Sequence, residues 1–467
     1  MSYPVGFSGL RAETTVPDLP VSGALPSWLS GTLIRNGPAV FDHAGKTFRH
    51  WFDGQAMLHR FEITEGRVSY ANRLLDTPSS RALLDRGRIR YSEFATDPCG
   101  SLFSRFFTRF TRKPSPNTAV SVATLAGHDV ALTEVPLAVA FDPASLETMG
   151  VIGYDDDLAG HVSTAHPHLR PGTGDLINYV LRFGRRSTYQ VYRQPAGSGR
   201  RELVGSVVTE HPGYVHSFAV TESYAILVIF PLVVNPLSFL LRARPFIENY
   251  RWRPELGTRV VVMSLEDGSV SADHTAPPCF AFHHINSFED HEAGEIVVDL
   301  CAFPDAEIVA ALYLDRLRAG RAVPMPLPTR IRISAAGVTV APLSDDPLEL
   351  PGIDYRHRNG RRYRYAYGTG AADPDGGDFL DQLCKLDVSE RKTWLWREPG
   401  HYPGEPVFVP APGPGAEDDG VVLSVVLDAA SARSYLLVLD AATFTELGRA
   451  EVPHAIPFGF HGRFSTG

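Results

Sequence analysis

Hydrophobic and polar positions alternate in short segments along this chain from Gly31 onward. Representative segments are EGRVSYANRLL, GHDVALTEV, TGDLINYVL, GTRVVVMSL and RIRISAAGVTVAPL, and Gly, Asp-Gly or Thr-Gly turns separate them. Alternation with a period of two between such turns is typical of β-strands. An all-β protein is therefore predicted, and about 28 short strands in groups of four favour a seven-bladed β-propeller.

Two segments break the strand pattern, and we expect them to form a cap of helices and loops over one face. They are residues 81–112, which include SLFSRFFTRF, and the apolar stretch that begins at Pro231. One interpretation is a core helix and a long buried loop. The other is an interfacial patch, which would also serve as the entrance for a water-insoluble substrate. The patch would place Phe103, Phe106, Phe107 and residues 230–246 in lipid, and Arg105, Arg109, Arg112, Arg242 and Arg244 at the headgroups.

Composition is that of an ordinary globular protein, with 44% hydrophobic and 21% charged residues. Since all-β proteins of this length often remain undivided, we expect residues 1–467 to form a single domain. The net charge of −9 argues against nucleic acid as a partner. The four cysteines have no paired spacing, which favours reduced thiols over disulfides. The 4 lysines and 40 arginines are typical of a protein from a GC-rich bacterium.

Targeting signals are not apparent in the sequence. The opening MSYPVGFSGLRAETT has neither a basic start nor an apolar core, so we expect no signal peptide. The most hydrophobic run, from Tyr224 to Leu241, is broken by Pro231, Asn235 and Pro236, which makes it a poor transmembrane helix. We therefore expect a cytoplasmic protein that associates peripherally with the inner face of the membrane.

Four histidines, each beside a strand-like run or a Gly/Pro turn, are candidate metal ligands. They are His166, His216, His283 and His461, and they lie far apart in the sequence. Neutral imidazole suits iron, copper, zinc or nickel, and four such ligands on an octahedral ion leave two positions open for catalysis. The alternative is that they are ordinary surface or core residues among 17 histidines, since no short local metal motif is present.

Many ordered motifs resemble those of the carotenoid cleavage oxygenases, in particular the branch with the animal carotenoid oxygenases and the retinoid isomerohydrolase. The matching segments cover nearly the whole chain and are GTLIRNGPAVF, HWFDGQAMLHRF, SEFATDPCGSLFSRFF, TAHPH, YVHSFAVT, FHHIN, YAYG, DQLCKLDV, EDDGVVLSVV and PFGFHG. The resemblance implies a seven-bladed propeller with iron on its axis, which agrees with the strand count.

The resemblance also assigns roles to individual residues. It implies that His166, His216, His283 and His461 bind Fe(II), and that His284, which follows His283, does not. Three glutamates are implied to accept the outward ring N–H of His216, His283 and His461, which fixes tautomer and orientation. They are Glu134, Glu349 and Glu405 respectively, and Thr133 corresponds to a threonine beside the open position of the iron.

The activity implied is cleavage of a conjugated double bond of a carotenoid or apocarotenoid by dioxygen, giving aldehydes such as retinal. An alternative on the same iron site is a retinoid isomerohydrolase or a stilbene-cleaving oxygenase. PSPNTAVSV has no internal lysine and Lys113 is displaced from the position of the phenol-binding lysine of stilbene-cleaving members, which disfavours the last. A non-enzymatic propeller that binds carotenoid is the remaining alternative.

Overall fold

Strands are the main regular secondary structure of the described chain. The computed structural model describes residues 2–98, 115–241, 244–373, 378–413 and 415–466. In these ranges the long strands form seven antiparallel sheets, which are the blades of a β-propeller. The fold class predicted from the strand pattern is therefore confirmed. The division into domains stays a prediction, with residues 1–467 as one unit.

The first blade joins both ends of the described chain. From its outer edge to the propeller axis, its strands are Thr14–Val16, Arg67–Leu74, Gln55–Thr64, Gly31–Val40 and Gly462–Ser465. The last strand pairs with Gly31–Val40 over Thr32 to Arg35. This pairing holds the backbone that follows His461 against a strand from the early part of the chain.

The other six blades follow in chain order, and in each of them the strands run from the propeller axis outward. The second is Ser121–Leu125, His128–Leu132, Ala138–Phe141 and Thr148–Ile152, and the third is Val162–Ser163 with His168–Leu169, Leu176–Arg182, Ser187–Gln194 and Glu202–Thr209. The fourth is Ala219–Val220, Tyr224–Ile229, Thr258–Ser264 and Val270–Ala276, and the fifth is His284–Asp290, Glu295–Ala302, Leu327–Ser334 and Gly337–Pro342. The sixth is Glu349–Gly352, Tyr365–Gly370, Gln382–Asp387 and Lys392–Trp396. The seventh is His401–Pro403 with Val407–Pro410, Gly420–Asp428, Arg433–Asp440, Glu446–Glu451 and the early strand Val21–Gly23.

Burial explains why some strands alternate in sequence and others do not. Central strands such as Tyr224–Ile229 and Gln382–Asp387 are covered on both faces by neighbouring blades, so nearly every residue is buried. Outer strands such as Val270–Ala276 and Gly337–Pro342 face solvent over much of their length. The polar positions of the strand pattern are therefore concentrated at the rim.

Short helices and long connections cover one side of the propeller. The α-helices are Pro78–Leu84, Leu237–Leu241, Glu307–Ala311, Leu314–Arg318 and Tyr355–Arg358, and the 3-10 helices are Tyr3–Phe7, Trp51–Asp53, Ile247–Asn249 and Pro254–Leu256. Two small strand pairs, Asp42–His43 with Lys46–Thr47 and Leu232–Val233 with Arg251–Trp252, accompany them. Apolar side chains from most of these helices join those of the inner strands in one large hydrophobic cluster, which confirms the predicted cap. The helices Tyr355–Arg358 and Pro254–Leu256 have no buried residues and are not part of this cluster.

The segment proposed as a membrane patch divides into two parts. Phe230, Leu232 and Val234 are buried in the core, whereas Leu237 and Leu241 on the following helix are 59% and 74% exposed. Phe103, Phe106 and Phe107 lie outside the described residues, as do Cys99 and the arginines predicted at the headgroups, apart from Arg244. No helix within the described ranges combines the length and apolar character needed to cross a bilayer.

Candidate metal centre

Four inner-strand segments bring the candidate histidines to one point. His166 lies between the two short inner strands of the third blade, and His216 precedes the inner strand of the fourth. His283 and His461 immediately precede the inner strands of the fifth and first blades. Each side chain is therefore carried by a segment that runs beside the propeller axis.

The geometry of these imidazoles is that of a common ligand set. One ring nitrogen from each of the four lies within 4.8 Å of the others. The Nε2 atoms of His166 and His216 are 3.0 Å apart, and those of His283 and His461 are 3.1 Å apart. Two nitrogens at about 2.1 Å from one ion, with a right angle between them, lie about 3 Å apart. The spacing thus fits adjacent ligands of a single metal ion.

The outward nitrogen of His216 is held by a carboxylate. Its Nδ1 is 2.7 Å from Oε1 of Glu134, which follows a strand of the second blade. The hydroxyl of Tyr214 donates to the same carboxylate oxygen at 2.7 Å. With its Nδ1–H donated to Glu134, His216 keeps a lone pair on Nε2, which is the tautomer a metal ligand needs.

A carboxylate in the sixth blade makes the same contact with His283. Oε2 of Glu349 accepts from Nδ1 at 2.5 Å and also from the backbone N–H of Leu350. Burial by itself would raise the pKa of Glu349, but the charge and hydrogen bond of His283 together hold this pKa below its ordinary value. The carboxylate is therefore ionised and able to orient the ring.

The third carboxylate, Glu405 in the seventh blade, has a further partner. Its Oε1 accepts from Nδ1 of His461 at 2.7 Å, and its Oε2 accepts from the backbone N–H of Gly462 at 2.9 Å. The guanidinium of Arg35 forms a buried ion pair with the same carboxylate and donates to the carbonyl of Phe460 at 2.7 Å. Although burial favours the neutral acid, His461 and Arg35 keep the pKa of Glu405 below its ordinary value.

His166 differs from the other three because no described carboxylate is hydrogen-bonded to its ring. Its backbone N–H instead donates to the hydroxyl oxygen of Thr164 at 3.0 Å. Burial, followed by the neighbouring imidazoles, places the pKa of His166 well below its ordinary value. Burial likewise lowers the pKa of His461 to about 4, against the opposing effect of Glu405. Both rings are therefore neutral at physiological pH, as metal ligands must be.

His284, which follows His283, points to a different set of partners. Its Nδ1 is 2.8 Å from the hydroxyl of Ser217, and the same hydroxyl donates to the carbonyl of Phe282 at 2.7 Å. His284 begins the inner strand of the fifth blade, where side chains alternate between faces. The strand pleat thus separates the two neighbouring histidines.

A cavity of about 470 Å³ opens onto the histidine cluster. Its walls include His216, His283 and His461 and are otherwise mainly aromatic and aliphatic. The ring of Phe52 lies 5.6 Å from that of Phe282 and 5.2 Å from that of Phe460, so three aromatic rings enclose the space beside the cluster. Thr133 and Glu134 also line the cavity. The space suits a long apolar molecule.

The donor set limits the metals that fit. Four neutral imidazoles suit first-row transition metals such as iron, copper, zinc or nickel, and none of the ligands compensates the charge of the ion. Three of the four rings are oriented by carboxylates, so they are already arranged for binding. The residues present therefore fit an iron(II) ion with open coordination positions.

The sequence interpretation missed two supporting residues. Tyr214 and Arg35 hold Glu134 and Glu405, yet each looks like an ordinary strand residue. Their only signal is their position in the segments YVHSF and GTLIRNGP, which match the family motifs. A partner that is distant in sequence cannot be read from a local pattern.

Comparisons with known proteins agree on one family. The family model described as retinal pigment epithelial membrane protein matches residues 7–466. A mitochondrial carotenoid-cleaving dioxygenase of Mustela putorius furo is 34% identical, and the match covers 97% of this chain and 95% of that protein. Carotenoid cleavage dioxygenase 8 homolog A of Oryza sativa subsp. japonica, a chloroplastic protein, is 37% identical over 97% of this chain and 86% of its own length.

Solved structures give the same fold. Cobalt-substituted Synechocystis apocarotenoid oxygenase superimposes with a TM-score of 0.89 at 25% identity, covering 100% of this chain and 98% of that one. A variant of the same Synechocystis enzyme gives a TM-score of 0.90 at 24% identity, with the same coverage. The likeness thus extends over the whole propeller and its cap.

Proposed function

This chain belongs to the RPE65/carotenoid cleavage oxygenase family, and we propose that it is a non-haem iron(II) dioxygenase that cleaves a conjugated double bond of a carotenoid or apocarotenoid. The observation that carries the proposal is the convergence of four imidazoles at an apolar cavity. Its relatives are named as carotenoid-cleaving dioxygenases, which supports the same reaction.

The proposed ligands are His166, His216, His283 and His461. Iron(II), when bound there, supplies the activation of dioxygen. Glu134, Glu349 and Glu405 each keep a proton on the outward nitrogen of one ligand, so the inward Nε2 remains a donor. These glutamates are positioning residues, because they act through the histidines and not on the substrate.

The cavity residues hold the polyene and keep water away. Phe52, Phe282 and Phe460 present ring faces and edges beside the cluster, a surface that suits a planar conjugated chain. Addition of one dioxygen molecule across one carbon-carbon double bond gives two carbonyl products and leaves no atom over. We assign Thr133 a steric or orienting role at the open position, since it lines the cavity next to Glu134.

Iron analysis and product analysis together test this proposal. The purified chain is expected to hold about one iron, and His283→Ala is expected to lose the metal and the activity because one of four ligands is gone. His284→Asn is the matched control, since this neighbouring imidazole bonds Ser217 instead. Activity that survives complete iron removal would contradict the assignment.

Substrate trials distinguish the reactions that the same site could support. Incubation with β-carotene, a β-apocarotenal, resveratrol and a retinyl ester should give aldehydes from the polyenes. Carbonyl products from resveratrol alone would instead identify a stilbene-cleaving oxygenase, and retinol from the ester would identify an isomerohydrolase. Carotenoid binding without any product would indicate a binding protein.

We also propose peripheral membrane contact through the helix Leu237–Leu241, together with Phe103, Phe106 and Phe107. The exposed Leu237 and Leu241 support it, because isolated exposed leucines on a cap helix suit the lipid interface. Flotation with liposomes should weaken in the double variant Leu237→Ser, Leu241→Ser. Equal flotation of the variant and the original chain would count against this contact.

A further inference from the structure

One acidic residue in the cavity wall belongs to neither the histidine cluster nor its three carboxylates. Glu93 lines the same cavity, and it is 9% exposed. The next residue, Phe94, contacts Phe52 at a ring distance of 5.1 Å, and Phe52 lies 6.3 Å from the ring of His216. Two ring contacts therefore connect the Glu93 segment to the proposed iron site.

The hydrogen bonds of Glu93 distinguish its two carboxyl oxygens. The hydroxyls of Ser115 and Ser79 donate to Oε1 at 2.6 Å and 3.1 Å. The Ser115 hydroxyl oxygen also accepts the backbone N–H of Asn117 at 3.2 Å, so its proton is committed to Glu93. Since Oε1 accepts two hydrogen bonds, Oε2 is the oxygen that carries a proton when the acid is neutral.

No basic side chain forms an ion pair with Glu93 among the described residues. Burial, together with the nearby charge of Asp53, raises the pKa of Glu93 to about 8, against the opposing effect of the Ser115 and Ser79 hydroxyls and the Asn117 amide. The group is therefore mainly a neutral acid at neutral pH, with a hydroxyl donor on Oε2. A neutral donor in an apolar cavity is suited to binding an oxygen atom of a ligand.

Asn117, another polar residue of the cavity wall, is already engaged. The amide oxygen of Asn117 accepts the backbone N–H of Ala56 at 3.0 Å, and its nitrogen donates to the carbonyl of Gly54 at 2.9 Å. Asn117 is thus a structural residue. Glu93 differs from Asn117 because, as a neutral acid, it has a hydroxyl hydrogen to donate.

We propose that the carboxyl group of Glu93 donates a hydrogen bond to a hydroxyl or carbonyl oxygen at one end of the polyene. The inference rests on the proposed cleavage of carotenoids or apocarotenoids and specifies the class of substrate. The preferred substrate is an oxygenated polyene, such as an apocarotenal or a hydroxylated carotenoid, and not a pure hydrocarbon. Anchoring one end of the chain also fixes which double bond lies at the metal.

Two substitutions of similar size separate this role from a structural one. Glu93→Gln can place its carbonyl oxygen where both hydroxyls donate and its NH₂ group where Oε2–H donates, so it should keep the preference. Glu93→Leu removes the donor and should lower kcat/KM for zeaxanthin and for a β-apocarotenal by roughly 10-fold, through KM. The kcat/KM for β-carotene should not fall. Equal losses on all three substrates, or no loss on any, would overturn the proposal.

Binding to the iron-free chain gives a second readout that does not depend on catalysis. Quenching of tryptophan fluorescence should show tighter binding of the β-apocarotenal than of β-carotene, with the difference lost in Glu93→Leu and kept in Glu93→Gln. Equal affinities in the original chain would refute the role of Glu93 even if cleavage is observed. A clear preference without cleavage would refute only the proposed reaction. Ser115→Ala, which removes one of the two hydroxyl donors, should reduce the preference and gives a further test should Glu93→Leu fail to fold.

Discussion

Individual side chains around the cluster show that the three carboxylates are not equivalent. Glu349 accepts from His283 and from a backbone N–H, and no described cation pairs with it. Glu405 joins His461 to the buried guanidinium of Arg35. The loss of either carboxylate should disturb a ligand, but only the loss of Glu405 also leaves a buried positive charge without its partner.

Replacing these glutamates by glutamine should therefore give two different results. Glu349→Gln and Glu405→Gln should each weaken iron retention by roughly 10-fold to 100-fold, because a ligand loses its orienting acceptor. Glu405→Gln should in addition lower the free energy of unfolding by about 3 kcal/mol, since Arg35 stays buried. Metal titration and urea denaturation measure the two effects.

The exposed Glu292 provides the control for this comparison, and Glu292→Gln should change neither quantity. Unchanged iron affinity in both cluster variants would disprove the positioning role. Equal stability of the two variants would disprove the distinct role of Arg35.

Glu93 should also make the folding stability of the chain depend on pH. Its pKa is raised from 4.5 to about 8 by burial and by Asp53, so the folded chain keeps a proton that the unfolded chain has lost between these values. Stability therefore falls as pH rises through this window, by up to about 1.4 kcal/mol per pH unit. Glu93→Gln, which cannot ionise, should gain stability relative to the original chain as pH rises.

Urea denaturation of both chains at about pH 5 and about pH 8 measures this difference. Ser79 and Ser115, which face the carboxyl, do not titrate in this range, whereas burial raises the pKa of Asp53 to about 6, so Asp53 ionises within this window in both chains. A difference that stays constant between the two pH values would show that Glu93 is ionised in the folded chain.

At the scale of elements, backbone contacts of the first blade hold the last histidine. The backbone N–H of Asn36 donates to the carbonyl of His461 at 2.9 Å, and the N–H of Phe460 donates to the carbonyl of Asn36 at 3.1 Å. A Cβ atom on the neighbouring Gly37 would lie 2.5 Å from the Cα of Gly459. Glycine is therefore required for this close approach of two backbones.

Gly37→Ala should push the segment before His461 away from the inner strand. We expect lower iron content and a lower unfolding temperature, because a backbone atom cannot move aside as a flexible side chain can. Gly153→Ala is the matched control, since nothing lies within 4 Å of its added methyl group. Normal iron content in Gly37→Ala would show that this approach does not position His461.

At the scale of the whole molecule, the proposed site takes one residue from each blade. The first, third, fourth and fifth blades carry the histidines, and the second, sixth and seventh carry the glutamates. The site thus depends on closure of the ring. Two strand pairings close it: Gly462–Ser465 pairs with Gly31–Val40 in the first blade, and Val21–Gly23 pairs with Glu446–Glu451 in the seventh.

Ending the chain at His461 tests this dependence, because all four histidines remain. The shortened chain should unfold at a lower temperature and retain less iron, since the closing strand and the N–H of Gly462 that binds Glu405 are both lost. Removal of residues 466–467 alone keeps the strand and should change neither property. Full iron content in the chain ending at His461 would show that the site does not need the strand Gly462–Ser465.

The strands, the all-β class and the family could all be predicted from the order of the amino acids, because alternation and ordered motifs are local properties. Segments such as GTRVVVMSL and RIRISAAGVTVAPL became strands as predicted, at Thr258–Ser264, Leu327–Ser334 and Gly337–Pro342. The resemblance also named the four histidines and three glutamates. These residues could be matched by their positions within the family motifs, although the chain has no short local metal-binding pattern.

How these residues meet, and which other residues support them, depends on the folded arrangement of the blades. Arg35 reaches Glu405 across 370 positions of sequence, and Glu93 is made a weak acid by its burial between Ser79 and Ser115. Similarly, the apolar run at Phe230 proved to be core, whereas Leu237 faces solvent. Burial and through-space neighbours arise only when the blades close into a ring, so a linear pattern does not contain them.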